Sequence, residues 1–319
     1  MTTTRVLVSG ASGFVGQWSL EPLLARGAEV HTVQRHAPPT TAGVVAHAAD
    51  LHDRESVESL MRRIKPTHLL HFAWIATPGV YLTSLDNPMW LRSSLQVVDA
   101  FLANGGSRVV VAGTVAEYDW SAGVCSERTT PCRPATLYAA CKHAQYEVLE
   151  RWSAQVGFSF AEGRLFWTYG PEESPERLVP GMIHAGLSRR PFQLRYPAQV
   201  RDYLHVADVG AAFSALLASE VQGAVNIGSG EGVALSRLGE IVGEETGEGL
   251  IIQPGDESAN DPAPLVCAET SRLMRDVGFT PRYRLEQGIR DTVAWWKEQW
   301  RAHGGPPSSL TRPESRMQA

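Results

Sequence analysis

The chain has 319 residues, of which 43% are hydrophobic and 20% charged, and a formal net charge of −5. That length is enough for a full hydrophobic core, and the acidic balance excludes the basic footprint of a nucleic-acid-binding protein. Apolar runs such as Arg108-Val109-Val110-Val111-Ala112 are strand-sized, and no charged N-terminal region leads into a long apolar one. No membrane partner is therefore expected, and the chain reads as cytoplasmic.

Arg5 to Val8 reads as a short strand, followed by Ser9-Gly10-Ala11-Ser12-Gly13-Phe14-Val15-Gly16 and a helical pattern through Leu20, Leu23 and Leu24. Glycines at 10, 13 and 16 let such a turn close tightly and approach a dinucleotide's pyrophosphate. The helix start behind them offers free N–H groups to the anion. The second strand, Glu29 to Val33, ends in Gln34-Arg35-His36. A carboxylate there would hold both ribose hydroxyls of NAD, whereas Arg35 suits the 2′-phosphate of NADP, so NADP (as NADPH) is expected ahead of NAD. A solvated arginine at a loop start is the alternative.

Asp50 and Leu51 follow a third short segment, and a helix from Asp53 to Ile64 ends before Pro66. His68 to Ala73 is the fourth strand. Pro88 to Asn104 reads as a long helix with Leu91, Leu95, Val98 and Leu102 on one stripe. The next strand, Arg108 to Ala112, runs into Gly113-Thr114. Tyr138 and Lys142 then stand four residues apart and project from one helix face. An ammonium beside a phenol favours the phenolate, which would let Tyr138 trade a proton with an alcohol or ketone. The bland alternative is an exposed helix turn. A sixth strand lies within Gly157 to Phe166. The four cysteines, Cys125, Cys132, Cys141 and Cys267, lack metal-ligand spacing, so reduced thiols and no metal are expected. Cys141 reads as a small buried hydrophobe rather than a nucleophile.

From about residue 5 to 297 these motifs resemble the extended branch of the short-chain dehydrogenase/reductase superfamily, in particular the NAD-dependent epimerase/dehydratase family. The resemblance implies an α/β fold, a Rossmann-type doubly wound parallel sheet over 1–165 that is rejoined by about 203–228. A smaller substrate-binding lobe over 166–303 and a disordered tail over 304–319 would complete the chain. It implies cofactor contacts by Ser12, Phe14 and Val15 in the glycine turn, by Asp50 and Leu51 near the adenine, and by Phe72 and Ala73 along the diphosphate and ribose. Trp74 replaces a small residue of the family and would serve either substrate contact or packing.

Thr114 precedes Tyr138 by 24 residues, as the family's catalytic serine or threonine does, which completes a Thr114/Tyr138/Lys142 set. Trp167 stands where the family has an asparagine that touches the substrate diphosphate, and Arg201 where it has an arginine that meets a nucleotide diphosphate. Asp202, His205 and Asp208 are expected to tie the two lobes together rather than to do chemistry. The long helix and the Tyr138 helix are those by which such proteins form homodimers. Ala116 occupies the position of the dehydratases' acid and of the cysteine in fucose-synthase-like enzymes, which disfavours both chemistries. The resulting expectation is NADPH-dependent reduction of a keto group on a nucleotide-linked deoxysugar. A nucleotide-sugar 4-epimerase with retained NAD is the alternative, and a non-catalytic dinucleotide-binding sensor a second one.

Overall fold

The computed structural model describes residues 4–36, 41–247, 250–254 and 263–303. In chain order the strands are β1 (Arg5–Ser9), β2 (Glu29–Gln34), β3 (Val44–Ala48), β4 (His68–His71), β5 (Arg108–Thr114), β6 (Val124–Cys125) and β7 (Ser159–Leu165), then β8 (Trp167–Tyr169), β9 (Phe192–Leu194), β10 (Val200–His205), β11 (Gly223–Ile227), β12 (Gly232–Ala234), β13 (Ile252–Pro254) and β14 (Leu265–Ala268). The α-helices are α1 (Leu20–Ala25), α2 (Arg54–Ile64), α3 (Asn87–Ala103), α4 (Leu137–Val156), α5 (Leu178–Ser188), α6 (Val206–Ala218), α7 (Leu235–Thr246) and α8 (Leu285–His303).

Seven strands form one parallel sheet in the order β11-β7-β5-β4-β1-β2-β3. A parallel strand covered on both faces reads as an unbroken apolar run, and β5 is buried at every residue. One face packs under α1 and α6 through Leu23, Val209, Ala212 and Phe213. The other packs under α2, α3 and α4 through Leu60, Met61, Val97, Phe101 and Leu149. From β1 the chain winds outward through β2 and β3, then returns to β4 and winds the other way. This reversal opens a crevice beyond the carboxyl ends of β1 and β4, where ligands bind in sheets of this kind.

Capping fixes the helices that border the crevice. Asp53 accepts the Ser56 N–H at the start of α2, and Thr136 accepts the Ala139 N–H at 3.2 Å at the start of α4. Tyr138 therefore sits in the first turn of α4. The leucine stripe expected on α3 is corrected: Val98 is buried, but Leu91, Leu95 and Leu102 are only half-buried, and the covered face is Ser94, Val97, Val98 and Phe101. Buried serines are tolerated there because His52 and His71 satisfy them, with Ser93 Oγ 2.7 Å from His52 Nδ1 and Ser94 Oγ 2.8 Å from His71 Nε2.

A second sheet runs β12-β10-β14-β6, with β8 also on β10, and β9 pairs with β13. With α5, α7 and α8 it encloses its own core of Tyr169, Met182, Ile183, Leu238 and Trp296. Although β11 and α6 come between β10 and β12 in sequence, they belong to the layers of the large sheet. Among the described residues no helix is long and apolar enough to cross a membrane. The tail expected over 304–319 lies outside the described residues.

Candidate active site

Gly10 follows β1 with φ +70, and a Cβ on it would come within 2.7 Å of the nitrogen of Ala73, just beyond β4. A Cβ on Gly16 would lie 2.3 Å from the Gly10 carbonyl oxygen. Backbone thus crowds the turn at both glycines, where it borders the crevice at the carboxyl ends of β1 and β4. Side-chain-free backbone at Gly10, Gly13 and Gly16 on the crevice fits the close approach of a dinucleotide diphosphate. Beneath it, His71 links Ser9 on β1 to Ser94 on α3, and burial together with the Lys142 ammonium pushes its imidazole down to about 3, so it is neutral. At the far rim Gln34 is half-buried and Arg35 exposed, with no carboxylate at the end of β2. Asp50 accepts the His52 N–H at 2.9 Å, and Leu51 is buried.

Because backbone atoms cannot yield, Gly16→Ala is expected to cost about 1–3 kcal/mol of stability. It should also weaken NAD and NADP alike by about tenfold or more. Thermal melts and fluorescence titrations check both.

The carboxyl end of β5 carries Thr114, whose hydroxyl accepts the Ala116 N–H at 3.3 Å and draws the pKa of the neighbouring Tyr138 phenol downward. Tyr138 and Lys142 rise from successive turns of α4, and Lys142 is 3% exposed. The structure thus brings the three candidate catalytic residues together. It corrects the expected electrostatics, however. The Lys142 ammonium donates to the Ala112 carbonyl at 2.8 Å and lies under the Trp74 ring, 3.9 Å from its centroid, instead of pointing at the phenol. Burial outweighs the other influences and pushes the Tyr138 phenol above its ordinary value, so it holds its proton at neutral pH. Burial likewise lowers Lys142 to about 8.

The family model for the NAD dependent epimerase/dehydratase family matches residues 6–228, which span β1 to β11. The chain belongs to that family. It is 26% identical to a UDP-glucose 4-epimerase of Corynebacterium glutamicum, over 88% of this chain and 91% of that protein. It is also 26% identical to a dTDP-glucose 4,6-dehydratase of Streptomyces griseus, over 92% and 94%. Among solved structures, a Thermus thermophilus UDP-glucose 4-epimerase in complex with NAD superposes with a TM-score of 0.78 at 29% identity, covering 92% of this chain and 99% of that one.

Within this member of the NAD dependent epimerase/dehydratase family, several residues near the site were not singled out from sequence. The Trp74 indole donates to Asn87 Oδ1 at 2.8 Å, and Asn87 in turn donates to the Tyr81 and Ser84 carbonyls. This ties the loop after β4 across the start of α4, where the Tyr138 N–H donates to the Leu82 carbonyl at 3.2 Å. Tyr81 packs edge-on against Tyr138 with centroids 4.9 Å apart, and the Arg177 guanidinium lies 5.1 Å from the Tyr81 ring. Arg177 also draws the pKa of the Tyr138 phenol downward. Loop contacts of this kind leave no periodic signal in a sequence.

Trp167 and Arg201 meet each other and Trp120, the guanidinium lying 5.3 and 5.8 Å from the two rings. Arg201 is 4% exposed and donates to the Val200 carbonyl and Gln199 Oε1. Beside this cluster a cleft of about 830 Å³ is lined by Leu82, Ala116, Trp120, Arg133, Thr136 and Leu265. Asp202 accepts N–H groups of Ser229, Gly230 and Ala268, and Asp208 those of Arg282 and Tyr283. His205 stacks on Tyr283 at 4.0 Å. These three side chains therefore fasten segments together. The described cysteines are all free, and Cys141 is buried.

Proposed function

We propose that this chain inverts C4 of a nucleotide-linked sugar by taking a hydride from that carbon and returning it, with the dinucleotide retained. The observation that carries the reading is the meeting of Thr114 and Tyr138 beside the glycine-lined crevice, with Lys142 one turn along α4. Similarity to UDP-glucose 4-epimerases supports it. Bound in the crevice, NAD would supply the hydride acceptor and donor. Gly10, Ser12, Gly13, Phe14, Val15 and Gly16 would hold its diphosphate, and Asp50, Leu51, Phe72 and Ala73 would line the rest. Tyr138 exchanges a proton with the C4 hydroxyl, and Thr114 holds that oxygen in line. Lys142 would serve the ribose beside the Trp74 indole. Ala116 borders the 830 Å³ cleft with only a methyl, which supports hydride chemistry without elimination. Arg201 and Trp167 would receive the substrate diphosphate.

This revises the expectation of an NADPH-dependent ketoreductase, since the relatives are epimerases and dehydratases and the Thermus structure holds NAD. One observation still favours reduction: Arg35 is exposed at the end of β2 with no carboxylate nearby on that strand. Incubating the purified protein with UDP- and dTDP-hexoses, without added dinucleotide, is expected to give the C4 epimer. Stoichiometric NADPH loss on a 4-keto sugar nucleotide, with no epimer, would instead establish the reductase. In that case Arg35→Ala should weaken NADPH about 10- to 150-fold and leave NADH untouched. Under retained NAD the same substitution is neutral. Absence of both reactions would leave a binding protein.

A further inference from the structure

Lys142 is buried, yet among the described residues it forms no ion pair. Glu117, Glu162 and Arg164 are buried on the turn after β5 and on β7, but they pair with one another: Arg164 Nε lies 3.5 Å from Glu117 Oε2 and 2.9 Å from Glu162 Oε1. An ammonium has three donors to place. Among the described residues Lys142 places one, on the Ala112 carbonyl at 2.8 Å. Its charge is met instead by the Trp74 ring, whose centroid lies 3.9 Å from Nζ. A desolvated ammonium is attracted to the negative face of an aromatic ring, and tryptophan offers the strongest such face.

The ring is itself held in place. Its N–H donates at 2.8 Å to Oδ1 of Asn87, a fully buried side chain, and the Asn87 amide nitrogen donates at 2.8 Å to both the Tyr81 and the Ser84 carbonyls. Those two acceptors fix which way the amide faces, and so present its oxygen to the indole. The loop closed by these bonds also accepts the Tyr138 N–H on the Leu82 carbonyl and lays Tyr81 edge-on against the Tyr138 ring. One segment therefore touches both Lys142 and Tyr138. Filling space calls only for an apolar side chain of suitable volume. A ring whose edge is fastened by a buried amide and whose face lies over the ammonium is placed to direct that ammonium.

We infer that Trp74 is a positioning residue: its face and the Ala112 carbonyl together hold the Lys142 ammonium at one point beside Tyr138, and Asn87 sets the ring that does so. The inference rests on the reading of Thr114, Tyr138 and Lys142 as the catalytic set. Lysine reaches that point on a flexible four-carbon stem. Without the ring the ammonium keeps a single tether and swings about it.

The chain has three lysines, Lys65, Lys142 and Lys297, so lysine labelled with carbon-13 at Cε gives three NMR signals, and Lys142→Arg assigns the one that matters. A methylene next to an ammonium stacked on an indole feels the ring current, so the Lys142 ε-protons are expected at higher field than those of the exposed Lys65. Trp74→Leu should move them most of the way to the Lys65 position. With the UDP- or dTDP-hexose that the protein epimerises, it should also lower kcat about tenfold while KM changes less than about twofold. Trp74→Phe, which keeps an aromatic face, should recover most of the shift and of kcat; Trp74→Met provides the same test if Trp74→Leu does not fold. Unmoved ε-protons in the leucine variant overturn the inference, and so does a wild-type kcat once the shift is lost. Should Tyr138→Phe leave turnover unchanged, the catalytic assignment itself falls and the positioning role with it, while the ε-proton shift still reports whether the ring holds the ammonium.

Discussion

Replacing Tyr138 by phenylalanine is expected to cut turnover by about 10²- to 10⁴-fold while leaving dinucleotide affinity and melting temperature close to wild type. The substitution removes one oxygen. The ring keeps its edge-on contacts with Tyr81 at 4.9 Å and Trp74 at 6.5 Å, so packing at the start of α4 is preserved. What disappears is the hydroxyl beside Thr114, the group proposed to trade a proton with a sugar oxygen. Tyr118 provides the contrast. Its buried hydroxyl donates to Asn226 Oδ1 at 2.8 Å, so Tyr118→Phe would strand that acceptor and lower stability rather than chemistry. Because burial holds the Tyr138 phenol above its ordinary value, the proton stays in place at neutral pH. The step that needs the phenolate should therefore accelerate with rising pH until Lys142 discharges. Steady-state kinetics with a nucleotide sugar, beside a calorimetric scan, check the separation; a wild-type rate from Tyr138→Phe would remove it from the site.

The parts of the site written in adjacent residues were legible in the sequence. A strand, three glycines and a helix start specify the turn at Gly10 to Gly16, and an interval of four specifies that Tyr138 and Lys142 share a helix face. Direction was not legible. The interval says nothing of what else reaches the ammonium, and the Ala112 carbonyl and the Trp74 ring arrive from β5 and from the loop after β4. The buried charges were hidden for a related reason. Gly113 pairs with Arg164 across the β5–β7 ladder, and the hole that Glu162 fills exists only once those strands are in register. A signal was present all the same: Glu162 and Arg164 interrupt a strand that is buried at five consecutive positions, where unpaired charges are rare. Tyr81, Arg177 and Trp120 gave no comparable mark, since each acts through a loop or a helix end.

Lys142→Met is expected to melt above the wild type at pH 7 and yet to lose nearly all turnover. A lysine whose folded value of about 8 lies below its ordinary 10.5 binds fewer protons folded than unfolded between those pH values. Stability therefore rises with pH through that window, and the full penalty stands below pH 8. For a group this deeply buried the penalty is about 3 kcal/mol. Methionine has similar length and no charge, and its thioether keeps contact with the Trp74 ring. Part of the gain is lost because Glu117 and Glu162 are then left with the Arg164 guanidinium alone. Glu162, already raised by burial and by Glu117, answers by holding a proton, which limits that loss. The net expectation is about 1–2 kcal/mol at pH 7, or a few degrees in Tm, shrinking toward zero as pH approaches the ordinary lysine value. Scanning calorimetry of both proteins at several pH values between 6 and 10 measures the difference. A variant that melts below wild type at pH 7 would mean that the two carboxylates stabilise the ammonium by more than its burial costs, and that the lysine belongs to the fold as much as to the reaction.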